Sequence, residues 1–401
     1  MRSEQAIRRA GLVTLALVGR PAGADAQASF QGLGVLPGAD HSYAMGVSAD
    51  GQWASGFSGG INLLNRAFRW REGVMENLGI PPGAIYCEGG LINADGSVVV
   101  VTGGGQRPHR WTQATGVMQD LGLPAATTHL PEGISADGTI IAGAGGASPV
   151  SPRTFRWTSP SGWQYLPLPA GFSASWGGSM SAGGSIIVGT VFNTTDAARP
   201  VVWTNGAPTV LSLPAGHTEG GAFGISADGL VVTGRSGTSL VRHMFRWSQA
   251  TGVQPLTALP SRGTAVNADG SVIVGVADFS GVPEAAIWTE STGLMSVGAR
   301  LTSLGVNLAG WMLDSATGVS ADGLTIVGLG THDGRPEGWI ARMPGACYAD
   351  CNGDVSLTVA DFGCFQTAFI SANPYADCNQ SGTLTIADFG CFQTKYALGC
   401  P

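Results

Sequence analysis

The chain has 401 residues, with 63 glycines, 12 % charged and 44 % hydrophobic residues, and a formal net charge of −7. That hydrophobic content excludes a disordered chain. An acidic balance with a single lysine, Lys395, and no Lys/Arg block excludes a nucleic-acid-binding surface. Glycine far above the usual share of about 7 % predicts a turn-rich, β-rich protein.

In chain order, Arg2, Arg8 and Arg9 precede an apolar run from Gly11 to Gly19, and small residues end in Ala26-Gln27-Ala28. This is the order of a secretory signal peptide, residues 1–28, cleaved after Ala26 or Ala28. The run is too short to cross a hydrocarbon core of about 30 Å. No later segment is suited to do so. The mature chain is therefore expected outside the cell, secreted or attached to a surface, without a membrane span.

One unit then recurs seven times: "VSADG" (47–51), "INADG" (92–96), "ISADG" (134–138), "MSAGG" (180–184), "ISADG" (225–229), "VNADG" (266–270) and "VSADG" (319–323). The first five intervals are 41–46 residues and the last is 53. Asp-Gly between two apolar runs predicts a hairpin with a type I′ turn, in which both residues take positive φ. The apolar residue and the Ala stand two apart, which predicts one face of a strand. A β-branched run follows six of the turns, and a second glycine stands five residues after the turn glycine in six copies; Val101 is the exception. Tryptophans follow at Trp70, Trp111, Trp157, Trp203, Trp247, Trp288 and Trp339, four of them preceded by Arg. A fourth apolar piece closes most units.

Four short strands in roughly 40–45 residues is the period of a propeller blade. Seven such sheets packed radially bury each other's faces, with the tryptophans as inter-blade anchors. "FQGLGVLPG" (30–38) reads as a fourth strand lacking three predecessors, and "GWIARMP" (338–344) ends a unit lacking its fourth. The two should pair and close the ring without a free edge. Residues 299–311, inside the long interval, predict a short helix. The six turn aspartates are explained by the turn rather than by a calcium ring. Arg69, Arg110, Arg156 and Arg246 are expected to stack or pair between blades. The polar stretch "GTHDGRPEGWI" (330–340) reads as a solvated hairpin loop, and Cys87 as a buried free thiol.

The last 55 residues hold six of the seven cysteines and a duplication offset by 27, "ADCNGDVSLTVADFGCFQTAF" (349–369) and "ADCNQSGTLTIADFGCFQTKY" (376–396). Each copy has calcium-loop spacing. Asp350, Asn352, Asp354 and Asp361 stand at positions 1, 3, 5 and 12, with the Ser356 carbonyl at 7. Asp377, Asn379, Ser381 and Asp388 repeat them, with the Thr383 carbonyl. Alternate oxygens from a tight loop suit Ca2+, so two sites are expected. Val355 replaces the glycine usual at position 6. Phe362, Phe365 and Phe369, and again Phe389, Phe392 and Tyr396, predict a helix after each loop with its aromatic stripe inward. Pseudo-symmetry suggests a Cys347–Cys400 clasp. Cys351, Cys364, Cys378 and Cys391 pair within or between the halves. Zinc is disfavoured by the lack of C-x-x-C and of nearby histidine.

"GVSADG…AFRW" and "SATGVSADGLTIVGLG" resemble the secreted HAF repeat over residues 40–344. "ADCN…DFGCFQ" resembles a GC-type dockerin over 347–401. The second resemblance implies half-EF-hands in tandem and docking to a cohesin-like or other surface protein. The apolar pairs Val359-Ala360 and Ile386-Ala387, at loop positions 10 and 11, depart from cohesin-binding dockerins.

The expected whole is all-β. A seven-bladed propeller (29–345), closed by its N-terminal strand, is followed by a small helical dockerin-like domain (346–401). A monomeric, non-enzymatic binding or scaffold protein, holding a polysaccharide or surface protein at the propeller, is the expected role. The alternatives are a propeller glycosidase or lyase, which needs acids converging on the channel, and a purely structural matrix protein.

Overall fold

The computed structural model describes residues 28–398 apart from 62, 105, 123–127, 147–150, 194–197, 346–347, 353–356 and 380. Residues 1–27, on which nearly all of the expected signal peptide (1–28) falls, and Cys347, Cys400, Asp354, Val355 and Ser356 lie outside the described residues.

Seven antiparallel four-stranded sheets form the first unit. Six are consecutive meanders, spanning residues 41–79, 87–120, 128–165, 174–210, 219–255 and 261–296. The seventh takes three strands from 311–342 and its fourth from Ser29–Gly32. Phe30 lies opposite Ala341 and Gly32 opposite Trp339, so the two ends of the repeat region are joined by a strand pair. The first strands contact one another around a closed cycle and line the axis. This is a seven-bladed β-propeller. A short helix, α1 (Val297–Ser303), fills the long interval and buries Val297 and Leu301 between blades 6 and 7.

The turn signature works differently from a type I′ hairpin. None of the turn aspartates has positive φ; only the glycine does, for example Gly138 at 72°. The N–H of Gly138 donates to the Ser135 carbonyl at 2.9 Å, and the Ser135 N–H to the Ile140 carbonyl at 2.9 Å. The two strands are thus joined by a type I-like turn with a left-handed glycine at its end. The Ser135 hydroxyl accepts the Ile140 N–H at 2.9 Å and donates to Asp137, which also accepts the Thr139 N–H at 3.0 Å. Asn93 and Asn267 replace serine because their amide oxygens accept the same N–H, at 2.8 and 2.9 Å. Aspartate is selected as a side-chain acceptor, not for its backbone.

The second repeated glycine has a steric cause. A Cβ at Gly143 would lie 2.0 Å from the Leu130 carbonyl oxygen, and one at Gly275 2.0 Å from that of Arg262. A bulge in each first strand presses that carbonyl inward. Blade 2 carries a longer bulge at Gly89-Gly90, between Glu88 and Leu91, and this is the blade that accommodates Val101.

Trp70, Trp111, Trp157, Trp203 and Trp339 are buried, and Trp247 and Trp288 half-buried. A buried indole is worth several kcal/mol at about 25 cal/mol/Å². Six share one register, facing the third residue after the turn glycine, as Trp157 faces Ile141. Trp339 is displaced. It faces Gly328, and Ala341 occupies the repeat's tryptophan position opposite Ile326. The seventh anchor is therefore the counterpart of Phe68, Phe155 and Phe245, and it meets Phe30 of the closing strand at 6.1 Å between ring centroids.

The second unit holds α2 (Val359–Ile370) and α3 (Ile386–Leu398). Its contacts obey the 27-residue offset. Phe365 stacks on its own counterpart Phe392 at 4.2 Å; Phe362 meets Tyr396 at 4.5 Å, and Phe369 meets Phe389 at 4.7 Å. Tyr348 and Tyr375 stack at 4.8 Å, each hydroxyl donating to the other's backbone carbonyl. Disulfides Cys351–Cys364 and Cys378–Cys391 tie each loop to its own helix. The within-half pairing is the one adopted. Cys87 is buried and free, its thiol pushed up to about 12 by desolvation.

Candidate functional sites

At one end of the axis the seven turns form a closed ring. The Ala49 N–H donates to the Ala94 carbonyl at 2.9 Å, and Ala94 to Ala136, Ala136 to Ala182, Ala182 to Ala227, Ala227 to Ala268, Ala268 to Ala321 and Ala321 back to Ala49, all within 3.1 Å. The alanine is thus part of the turn, not of a strand face. A small side chain is needed because seven of them crowd one axis. Val47, Ile92, Ile134, Met180, Ile225, Val266 and Val319 line the same opening of about 220 Å³. Alanines and these aliphatic side chains dominate its lining, with Asn93, Ser135 and Asn267 of the turns beside them. The turn aspartates are engaged by serine hydroxyls and backbone N–H groups, and this agrees with reading them as turn residues.

The repeated arginines act between blades. Arg69, 5 % exposed, donates to the turn carbonyl Gly96 of the next blade at 2.9 Å and to Gln113 at 2.9 Å, pairs with Glu76 at 2.8 Å, and lies over Trp53 and Trp111. Arg110 reaches Gly138 at 3.0 Å, Arg246 reaches Gly270 at 3.4 Å, and Arg342 reaches Gly51 at 2.8 Å. The polar stretch 330–340 is more than a solvated loop. His332 stacks on Trp311 at 4.4 Å and pairs with Glu337 at 2.9 Å, and the other Glu337 oxygen accepts the Gly34 N–H at 2.8 Å. It fastens the closing strand.

Away from the turns, the wall of the axis stops repeating. Glu132 of blade 3 accepts the Trp176 indole N–H of blade 4. Burial raises the Glu132 carboxyl to about 7. His129, on the same strand, is lowered to about 4 by desolvation. Blade 5 contributes Phe223 and Arg235, and blade 6 Arg262; both guanidiniums lie within 6 Å of the Phe223 ring, at 5.7 and 5.9 Å. None of these residues is marked in the sequence, because they occupy positions that differ from copy to copy.

In the C-terminal unit the second loop is described almost whole. Gly382, at position 6, has φ of 80°. The carboxylate of Asp377 and the amide oxygen of Asn379 both accept the Ser381 N–H, at 2.9 and 3.0 Å, and Asp377 also accepts the Gly382 N–H at 2.7 Å. The Ser381 hydroxyl donates to the Thr383 carbonyl at 3.0 Å. Asp388 is buried and accepts from Asn379 at 3.3 Å and Thr385 at 2.7 Å; these bonds hold its carboxyl below the usual range. In the first loop Asp361 is buried in the same way, accepting from Asn352 at 3.3 Å and Thr358 at 2.8 Å. Asp354 and Ser356 of this loop lie outside the described residues. Among the described residues, no three His, Cys, Asp or Glu side chains gather as a metal-binding group; the second loop draws mainly on amide, hydroxyl and carbonyl oxygens.

No protein-family model matches the chain, and no curated protein matches it in sequence. Solved structures do. An oligogalacturonate lyase in complex with manganese superposes with a TM-score of 0.58 at 15 % identity, over 79 % of this chain and 93 % of that one. The oligogalacturonate lyase of Vibrio parahaemolyticus gives 0.56 at 12 % identity, over 80 % and 95 %. A puromycin hydrolase gives 0.50 at 16 %, over 72 % of this chain and 50 % of its own. At these identities the likeness is one of fold.

Among the described residues, no helix is long and apolar enough to cross a membrane.

Proposed function

We propose that this is an exported, non-catalytic binding protein whose propeller holds an extracellular ligand and whose C-terminal unit is a dockerin-like, calcium-dependent tether to a surface protein. One observation carries the tether. Side-chain oxygens at loop positions 1 and 3 converge on a single N–H, around a left-handed glycine at position 6 and beside a buried aspartate at 12. Those groups fit a hard cation that takes six to eight oxygens. Asp377, Asn379, Ser381, the Thr383 carbonyl and Asp388 would hold one Ca2+; Asp350, Asn352, Asp354, the Ser356 carbonyl and Asp361 would hold the other. Bound calcium would neutralise the clustered carboxylates and rigidify each loop against its helix. Disulfides in this unit suit an oxidising compartment. Calorimetric titration of the full mature chain should show two Ca2+ equivalents, and Asp388→Ala should remove one. Absence of binding would refute the tether.

A second reading, a carbohydrate-active enzyme, is favoured by Glu132 alone, a half-buried carboxyl titrating near neutrality on the channel wall. Turnover of any glycan by the intact chain, abolished by Glu132→Gln, would establish it over the binding role.

A further inference from the structure

The cleft between blades 5 and 6 gathers three arginines on a chain that is acidic overall. Its cavity of about 400 Å³ is lined by Arg235, Arg242 and Arg262, with Asp278, Leu240 and Pro283 at its margins. Arg242 is neutralised by an ion pair with Glu219. Arg235 and Arg262 have no ion pair or hydrogen bond among the described residues, and both flank the Phe223 ring. Asp278 instead accepts the Gly281 N–H of its own hairpin. Desolvation and the like charges of Arg242 and Arg262 lower the Arg235 pKa, so a guanidinium is being held where it is not fully solvated. Glu219, which acts on Arg235 from its pair with Arg242, is shared among these cations, so positive charge predominates in the cleft and an anion would be attracted there.

The surroundings narrow the anion. Arg235 pairs with Gly221, whose missing side chain leaves room for Thr190 and the Phe223 ring. Thr190 in turn lies opposite Trp176, 37 % exposed. Two aromatic rings and two guanidiniums thus follow one another along three consecutive blades. Leu240, 91 % exposed, and Val282, 60 % exposed, form an apolar rim on neighbouring loops. Guanidinium forks match the planar geometry of a carboxylate. Aromatic faces match the C–H face of a pyranose. We propose that this cleft binds an acidic saccharide, with Arg235 and Arg262 taking a uronate carboxylate while Phe223, flanked by both guanidiniums, carries an adjoining sugar ring. The proposal rests on the binding role given to the propeller and specifies its ligand.

The test uses the intact mature chain and its Arg262→Gln and Arg235→Gln variants. Binding is measured by calorimetry against polygalacturonate, the fully methyl-esterified polymer, galacturonic acid monomer and poly-glutamate. Polygalacturonate should bind, each substitution should weaken it about tenfold, and the ester should bind no better than the double variant. Monomer binding with the same arginine dependence would support the carboxylate contact. Arg262 is exposed, so its variant should fold even if Arg235→Gln does not. Equal binding of the neutral ester, or unchanged binding by Arg262→Gln, would overturn the cleft while leaving a glycan-binding propeller intact. Poly-glutamate bound in place of polygalacturonate, or no binding of either acid, would overturn the acidic-saccharide assignment; the calcium titration above is unaffected by either result.

Discussion

The two units solve one problem, too little core per copy, in opposite ways. The propeller uses number. Seven sheets bury one another's tryptophans and phenylalanines, cross-blade arginines reach the next turn, and a ring of seven backbone hydrogen bonds closes one end. The copies share one framework, although blade 2 carries a longer bulge and the seventh blade is assembled from both ends of the repeat region. The C-terminal unit has two copies only, and they cannot surround anything. They stack face to face through Phe365 and Phe392 and secure each loop with its own disulfide. Repetition by itself therefore stabilises in proportion to closure; a pair needs covalent help.

Breaking closure should have the largest effect. Removal of residues 29–32 strips the strand that pairs with Arg335–Arg342 and exposes an edge. The expected result is loss of cooperative unfolding by circular dichroism and aggregation on gel filtration. Breaking one clasp of the small unit should be next. The paired substitution Cys351→Ser, Cys364→Ser should cost about 2–4 kcal/mol in that unit alone, read as a lowered transition in denaturant. Gly143→Ala would place a methyl against the Leu130 carbonyl and should cost about 1–3 kcal/mol. The sharpening control is Val101→Ala, where blade 2 already houses a larger side chain and only ordinary cavity loss should follow.

The smallest expected effect concerns pH. Glu132 is raised from 4.5 to about 7 in the folded chain, so between those values the folded state binds the extra proton and stability falls as pH rises. His129 is lowered from 6.5 to about 4, so stability rises with pH across that interval. The two slopes oppose each other. Glu132→Gln should unmask the His129 rise, measured as melting temperature between pH 4 and 7, and a flat profile in the variant would contradict the His129 environment.

What the sequence revealed was whatever repeats. The blade period, the closing strand, the buried tryptophans, α1 and the aromatic stripes of α2 and α3 follow from spacing. The turn type did not, because Asp-Gly satisfies two geometries and only the serine hydroxyl, accepting an N–H five residues on, decides between them. Trp339 was legible as an anchor but not as a displaced one; its shift appears only when Ala341 is seen opposite Ile326. The cleft residues Phe223, Arg235 and Arg262 were invisible for the opposite reason. They break the repeat, and they come together from two blades by strand pairing that spacing does not encode. The Gly89-Gly90 doublet was a readable signal for Val101, since a longer bulge in one strand frees space in the next.

The measurement that bears most directly on this division of labour is differential scanning calorimetry of the intact chain with calcium and with chelator. Two transitions are predicted, of which only the smaller shifts upward with calcium concentration, as ligand-linked stabilisation requires. A calcium-insensitive thermogram, or an equal shift of both transitions, would contradict the account.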